Sequence, residues 1–137
     1  MSLFILDTSV ALAWYLPESF SISARRWQGD LLDGKIRFTV PSLHYWELGN
    51  VLRTYVRRGE LDPGLALATY QTHLEAPLEP AEPDRSVVLQ TALDYEATVN
   101  DAVYICLALT LNVSIVTAER STTSWVVKMG DSIHTVT

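Results

Sequence analysis

Four acidic residues stand where a carboxylate is either costly or well placed for chemistry: Asp7, Glu47, Asp101 and Glu119. Asp7 closes the apolar run Leu3-Phe-Ile-Leu6 and is followed at once by Thr8-Ser9-Val-Ala-Leu-Ala-Trp14, the pattern of a strand passing into a helix. An acid there sits at a strand's carboxyl end, the edge of an open α/β sheet where loops and positive helix N-termini face one crevice. Capping of the helix by Asp7, Thr8 or Ser9 explains the same residues locally.

Glu47 poses the question more sharply. On a helical wheel of about 100° per residue it falls among Val51, Leu48, Tyr55 and His44, on the apolar side of a helix expected over 42–58. A carboxylate on that face loses hydration and must be paired, protonated or bound to a cation, unless it reaches out to solvent or to an Arg. Asp101 opens a helix that is apolar around its whole circumference from Ala102 to Leu109, hence buried, with its N-terminus facing a cleft. Dipole stabilisation of a first-turn acid, with Thr98 or Asn100 as cap, also accounts for it. Glu119 follows the apolar run Val113 to Thr117 by two residues, which places it on the same sheet edge as Asp7.

Each acid has an adequate local reason, yet a parallel sheet points all four to one side. Carboxylates crowded into one crevice repel and raise one another's pKa unless a divalent cation neutralises them. Oxygen-only ligands favour Mg²⁺ or Mn²⁺ over Zn²⁺. Two such ions bridged by carboxylates suit phosphodiester hydrolysis, one activating water and the other stabilising the leaving oxygen. No Ser-His-Asp arrangement competes. His44, three residues before Glu47, has the spacing of a metal pair but no third nitrogen or sulfur ligand nearby, and is expected as a satisfied, half-buried histidine. The single Cys106 lies in an apolar run and reads as a core residue.

The elements that must position these acids alternate regularly. Strand 3–6 and the helix from residue 8 are broken by Pro17-Glu18; a helix over 19–32 ends at Asp33-Gly34; a strand over 36–40 is stopped by Pro41. Ser42 is the expected cap of the helix to residue 58, and Gly59 supplies the left-handed closing position. Asp62-Pro63, cap and first-turn proline, open a helix to about residue 75. Pro77, Pro80 and Pro83 could mark a polyproline II linker, but the flanking helices are too few to bury separate cores, so 76–84 reads as a loop around an edge strand at 78–81. Helices over 84–96 and 101–111, with Asn112 as C-cap, precede a strand at 113–117, a helix at 119–129, a turn at Gly130-Asp131 and a last strand at 132–136. No internal repeat is present. The expectation is one α/β domain spanning 1–137, a three-layer α/β/α arrangement with a four- or five-stranded, mainly parallel sheet.

Length and composition bound the partners. The 137 residues are 48% apolar and 19% charged, and no apolar run approaches the span of a membrane helix. No basic segment precedes an apolar stretch at the start, so the cytoplasm is the expected location and no membrane partner is expected. The net charge of −6 argues against wholesale coating of nucleic acid. With four of the sixteen acids set aside as ligands, twelve face ten Lys and Arg, and a cation-loaded acidic cleft can still accept phosphate. Arg25, Arg26, Arg53, Arg57 and Arg58 are candidates to grip phosphates, or else solvated helix faces. Trp14, Trp27 and Trp125 read as core or interface. Trp46 points away from the apolar stripe of its helix, which suggests a partner surface.

The successive motifs Asp7-Thr-Ser-Val-Ala-Leu-Ala-Trp, Trp46-Glu47-Leu-Gly-Asn50-Val-Leu, Asn100-Asp101-Ala-Val-Tyr-Ile-Cys-Leu-Ala and Ile115-Val-Thr117-Ala-Glu119-Arg resemble those of PIN-domain nucleases, above all the VapC toxins of toxin–antitoxin pairs. The resemblance spans almost the whole chain in order. It implies a compact α/β/α domain that cleaves RNA with Mg²⁺ or Mn²⁺, held in check by a cognate antitoxin and working as a homodimer. Asp7, Glu47 and Asp101 take the places of the acidic ligands, while Ser9, Asn50 and Thr117 match polar positions that support the site. Glu119 departs from the pattern, which would place Asp there; its extra methylene pushes the carboxylate outward and loosens its hold on a second ion. A PIN-like interaction module with lost catalysis, or a PIN nuclease outside any toxin–antitoxin system, remains the alternative. A phospho-receiver domain fits poorly, because no acid pair stands at the first strand and no Lys near the last.

Overall fold

The computed structural model describes all of residues 1–137. Five strands, β1 (Ser2–Leu6), β2 (Ile36–Val40), β3 (Glu79–Pro80), β4 (Ser114–Thr117) and β5 (Ile133–Thr135), form one sheet in the order β3-β2-β1-β4-β5. Every pairing is parallel. Seven helices join them: α1 (Thr8–Tyr15), α2 (Ser21–Leu32), α3 (Leu43–Arg57), α4 (Pro63–Leu74), α5 (Arg85–Tyr95), α6 (Val99–Leu111) and α7 (Ser124–Met129). No helix is long and apolar enough to cross a membrane.

The near-continuous apolar strands follow from burial on both faces. Leu6 and Val116 are register partners and pack with Val10, Ala11 and Trp14 of α1, Phe38 of β2, and Leu48 and Leu52 of α3. Ile5 and Ile115, also partners, face the other way into Tyr104, Ile105 and Leu107 of α6 and Trp125 of α7. Successive side chains of a strand alternate between faces, so the same dipeptides feed two cores and make a three-layer α/β/α molecule.

Local signals set most boundaries. Asp62 accepts the Leu65 N–H at 3.1 Å with Pro63 in the first turn, Thr98 accepts the Asp101 N–H at 3.1 Å, and Asn112 ends α6 at φ 54°. Gly59, at φ 71°, closes α3 as expected. Five expectations need correction. Ser42 offers no side-chain cap to α3; instead its N–H donates to Glu82 at 2.6 Å, so the cap comes from a residue 40 positions away. The helix expected at 119–129 begins only at Ser124, because the Glu119 N–H donates to Thr117 Oγ1 at 3.1 Å and the chain first turns, with the Thr123 N–H on the Arg120 carbonyl at 3.0 Å. The edge strand shrinks to Glu79–Pro80 and the last strand to Ile133–Thr135. His44 is fully buried, not half-buried.

Leu48, fully buried beneath the residue next to it, anchors the helix that carries Glu47. Leu48→Ala is expected to lower unfolding free energy by about 2–5 kcal/mol, read from denaturant titration.

Candidate active site

The β1–β4 ladder places two of the site's residues side by side. Leu6 pairs with Val116, so Asp7 and Thr117 are the next residues on neighbouring strands, and the Asp7 N–H extends the ladder to the Val116 carbonyl at 3.0 Å. Thr117 Oγ1 donates to Asp7 Oδ2 at 2.6 Å, and Ser9 Oγ donates to the same oxygen at 3.1 Å. Ser9 Oγ in turn accepts the Ala118 N–H at 3.1 Å. Both protein donors therefore fall on Oδ2, and Oδ1 receives none. Asp7 begins α1 without acting as a side-chain cap, so the local explanation of this acid does not hold.

Glu47 is held in the same lopsided way. Tyr104 Oη donates to Glu47 Oε1 at 2.6 Å, and Thr8 Oγ1 donates to it at 3.1 Å. Oε2 has no protein donor. Neither an Arg nor a Lys pairs with it; the chain's ion pairs are Arg37–Glu79 and Lys128–Glu96. Asp101 stands in the first turn of α6, one turn before Tyr104 on the same face. Glu119 lies two residues beyond β4, its Oε2 accepting from Thr123 Oγ1 at 3.4 Å.

The electrostatics tie the four together. Burial lifts the Asp7 carboxyl from 3.8 to about 6, with hydrogen bonds from Thr117 and Ser9 opposing the rise and the charges of Glu47 and Glu119 adding to it. Burial lifts Asp101 to about 6 as well, helped by the charges of Asp7 and Glu119 and opposed by Thr98. Glu47 is raised by burial and by Asp101, against the hydrogen bonds from Tyr104 and Thr8. Burial raises the Tyr104 hydroxyl far out of range, so it stays a donor. Asp7, Glu47, Asp101 and Glu119 thus share one field. Asn50 does not join them: it is exposed, three residues after Glu47, and its side chain makes no hydrogen bond.

Whether this set fits a cation depends on its oxygens. No three of the chain's His, Cys, Asp and Glu side chains close on one common metal position. The set therefore does not form a dry cage of the zinc type, but two donor-free carboxylate oxygens beside two further acids fit a hard cation that keeps part of its water.

The sequence pattern of the PIN domain matches residues 4–122. The chain belongs to the PIN domain family. Among solved structures, this PIN domain is similar to PAE2754 from Pyrobaculum aerophilum, with TM-score 0.74, 18% identity, and coverage of 98% of this chain and 90% of that one. It is also similar to Mycobacterium tuberculosis VapC20, a sarcin-ricin-loop-cleaving toxin, with TM-score 0.59, 14% identity, and coverage of 81% and 85%. At such identities the likeness is one of fold. No curated protein matches the sequence.

Two residues of the PIN site escape a reading by motif. Tyr104 carries a helical signal, since it lies three residues from Asp101. Thr8 looks like a cap between Asp7 and Ser9, yet it is buried and bonds Glu47 from 39 residues away.

An acid whose pKa is raised on folding binds its proton more tightly in the native state, so its contribution to stability falls as pH climbs from about 4 to about 6. Asp7→Asn is therefore expected to stabilise the metal-free protein at pH 7.5 by up to about 3 kcal/mol, and to give no gain at pH 3.5. Denaturant midpoints of both proteins at the two pH values check this.

Proposed function

We propose that this PIN domain, acting as one unit over residues 1–137, is a Mg²⁺- or Mn²⁺-dependent endoribonuclease and the toxin of a toxin–antitoxin pair in the cytoplasm. The observation that carries the reading is the shared field of Asp7, Glu47, Asp101 and Glu119, with Asp7 Oδ1 and Glu47 Oε2 free of protein donors. These four acids would hold the cation, in part through its bound water. When bound, it supplies acidity to a water and positive charge at the departing oxygen of a phosphodiester.

The chain's own residues prepare that chemistry. Ser9 and Thr117 hold Asp7 by one oxygen and present the other. Thr8 and Tyr104 do the same for Glu47. Beside Asp101 and one turn before Glu47 lies a recess of about 750 Å³, bounded by Leu43, Arg85, Val88, Asn100 and Val103, wide enough for a flanking nucleotide. Arg53 and Arg57 on the helix of Glu47, and Arg58 at its end, cluster free of ion pairs and would suit phosphates.

An antitoxin has a surface that suits it. Gly49, Leu52, Val56, Ala66, Leu67 and Tyr70 line an apolar recess of about 400 Å³ between α3 and α4, with Arg53 and Arg57 on its rim, complementary to a helix with apolar and acidic residues. Trp46, 65% exposed on α3, also suits a partner. Leu89 and Leu93, one turn apart and exposed on α5, suit contact with a second copy in a homodimer.

RNA cleavage is expected with Mg²⁺ or Mn²⁺ and none with EDTA. Asp7→Asn should lose at least about a hundredfold in rate; equal rates in both proteins would sink the mechanism. Glu119→Asp should raise activity. Absence of Mn²⁺ binding at millimolar concentration in calorimetry would favour a non-catalytic module instead. Leu67→Asp, on an exposed position, should abolish co-purification with the co-expressed antitoxin while leaving RNA cleavage unchanged.

A further inference from the structure

Beneath Glu47 runs a buried chain of hydrogen bonds that the mechanism above does not use. Thr8 Oγ1, which donates to Glu47, lies 3.3 Å from His44 Nδ1. His44 Nε2 lies 2.8 Å from His73 Nε2, and His73 Nδ1 lies 2.7 Å from Tyr15 Oη. Both imidazoles are fully buried. Burial, followed by the repulsion of His73, pushes His44 down to about 3 against a hydrogen bond with the Leu6 backbone, and burial pushes His73 down to about 4, so both rings are neutral. Each then carries one N–H, and only two orderings fit the Nε2–Nε2 contact.

In the first, His44 donates to His73 and its bare Nδ1 takes the Thr8 proton. Thr8 then has nothing to give Glu47, and two lone-pair oxygens face each other at the 3.1 Å contact. Tyr104, with one proton already on Glu47, cannot repair its own 2.8 Å contact with Thr8. In the second, Tyr15 donates to His73 Nδ1, His73 Nε2–H donates to His44 Nε2, His44 Nδ1–H donates to Thr8, and Thr8 donates into the Tyr104–Glu47 pair. Each contact from Tyr15 to Thr8 then has a proton, and the triangle of Thr8, Tyr104 and Glu47, with two hydroxyl protons for three contacts, leaves one bare where the first ordering leaves two. Every N–H and O–H also points toward the acids, the direction their field favours.

We propose that His73 is a positioning residue for Glu47: its N–H selects the tautomer of His44, which commits the Thr8 proton to Glu47 Oε1 and leaves Oε2 for the cation. The proposal rests on the reading of Glu47 as a cation ligand. His73 touches neither Glu47 nor the cation; it acts from α4, one element further out, in the way outer hydrogen-bond partners orient ligands and set imidazole tautomers. The chain has room because Gly49 lets α4 lie close against α3: a Cβ there would meet Tyr70 Cε1 at 3.2 Å.

Long-range ¹H–¹⁵N correlation of the imidazoles in the metal-free protein should report His44 as the Nδ1–H tautomer and His73 as the Nε2–H tautomer; the reverse assignment overturns the proposal and needs no metal. Calorimetric Mn²⁺ titration should show His73→Leu binding about tenfold more weakly than wild type. His73→Gln, whose amide N–H can still donate to His44, should recover most of that loss. His73→Leu with a lowered melting temperature but wild-type Mn²⁺ affinity overturns it as a merely structural effect. Should His73→Leu fail to fold, Tyr15→Phe, which removes the donor to His73 Nδ1, should shift both rings toward the reversed tautomers and weaken Mn²⁺ binding; unchanged tautomers with unchanged affinity overturn the proposal. Wild type that binds no Mn²⁺ defeats the nuclease reading, and the tautomer assignment still decides the hydrogen-bond order.

Discussion

Asp7 must stay ionisable although its carboxylate is largely withdrawn from water, and much of the molecule is arranged around that requirement. Burial, with the charges of the neighbouring acids, lifts its pKa to about 6. Two hydroxyl bonds oppose the rise, a short one from Thr117 across the β1–β4 ladder and a longer one from Ser9 in the first turn of α1. The Thr117 donor would not be in place without the parallel register that sets Leu6 beside Val116. The sheet therefore does more than carry the core; it brings a hydroxyl 110 residues away in sequence to 2.6 Å from the carboxylate.

Helix α3 links that edge to the rest of the fold. Its buried side, His44, Leu48 and Leu52, fixes its height over the sheet, and Glu47 emerges half-buried beside them. The clamp on Glu47 draws on three elements, with Thr8 from α1, Tyr104 from α6 and His44 from α3 itself. Such a polar network is costly wherever a contact lacks a proton, and here opposed tautomers of two neutral histidines keep those gaps fewest without adding charge. The same α3–α4 pair that brings the histidines together also leaves an apolar recess on its outer side.

The net charge of −6 takes on a different meaning in this setting. Acids concentrated at one sheet edge lose hydration and repel each other, and the raised pKa values of Asp7, Glu47 and Asp101 come first from burial and then from that repulsion. This is stored instability of the kind tolerated at sites that neutralise it by binding. Glu119 belongs to the same field as Asp7 and Asp101, although its carboxylate is also drawn toward Thr123.

By itself the sequence determined the alternation of strands and helices, the two-sided burial of the sheet, and the placing of Asp7, Glu47, Asp101 and Glu119 on one edge. Those properties follow from local periodicity, from Gly and Pro punctuation, and from the direction that parallel strands impose. Only the tertiary structure decided which oxygen of each acid is held and which is free, that Asn50 points to solvent, that Glu82 rather than Ser42 caps α3, and that His44 is buried against His73. Each of these depends on a partner from a distant stretch of chain, and hydrogen-bond geometry of a few tenths of an ångström leaves no trace in composition or spacing.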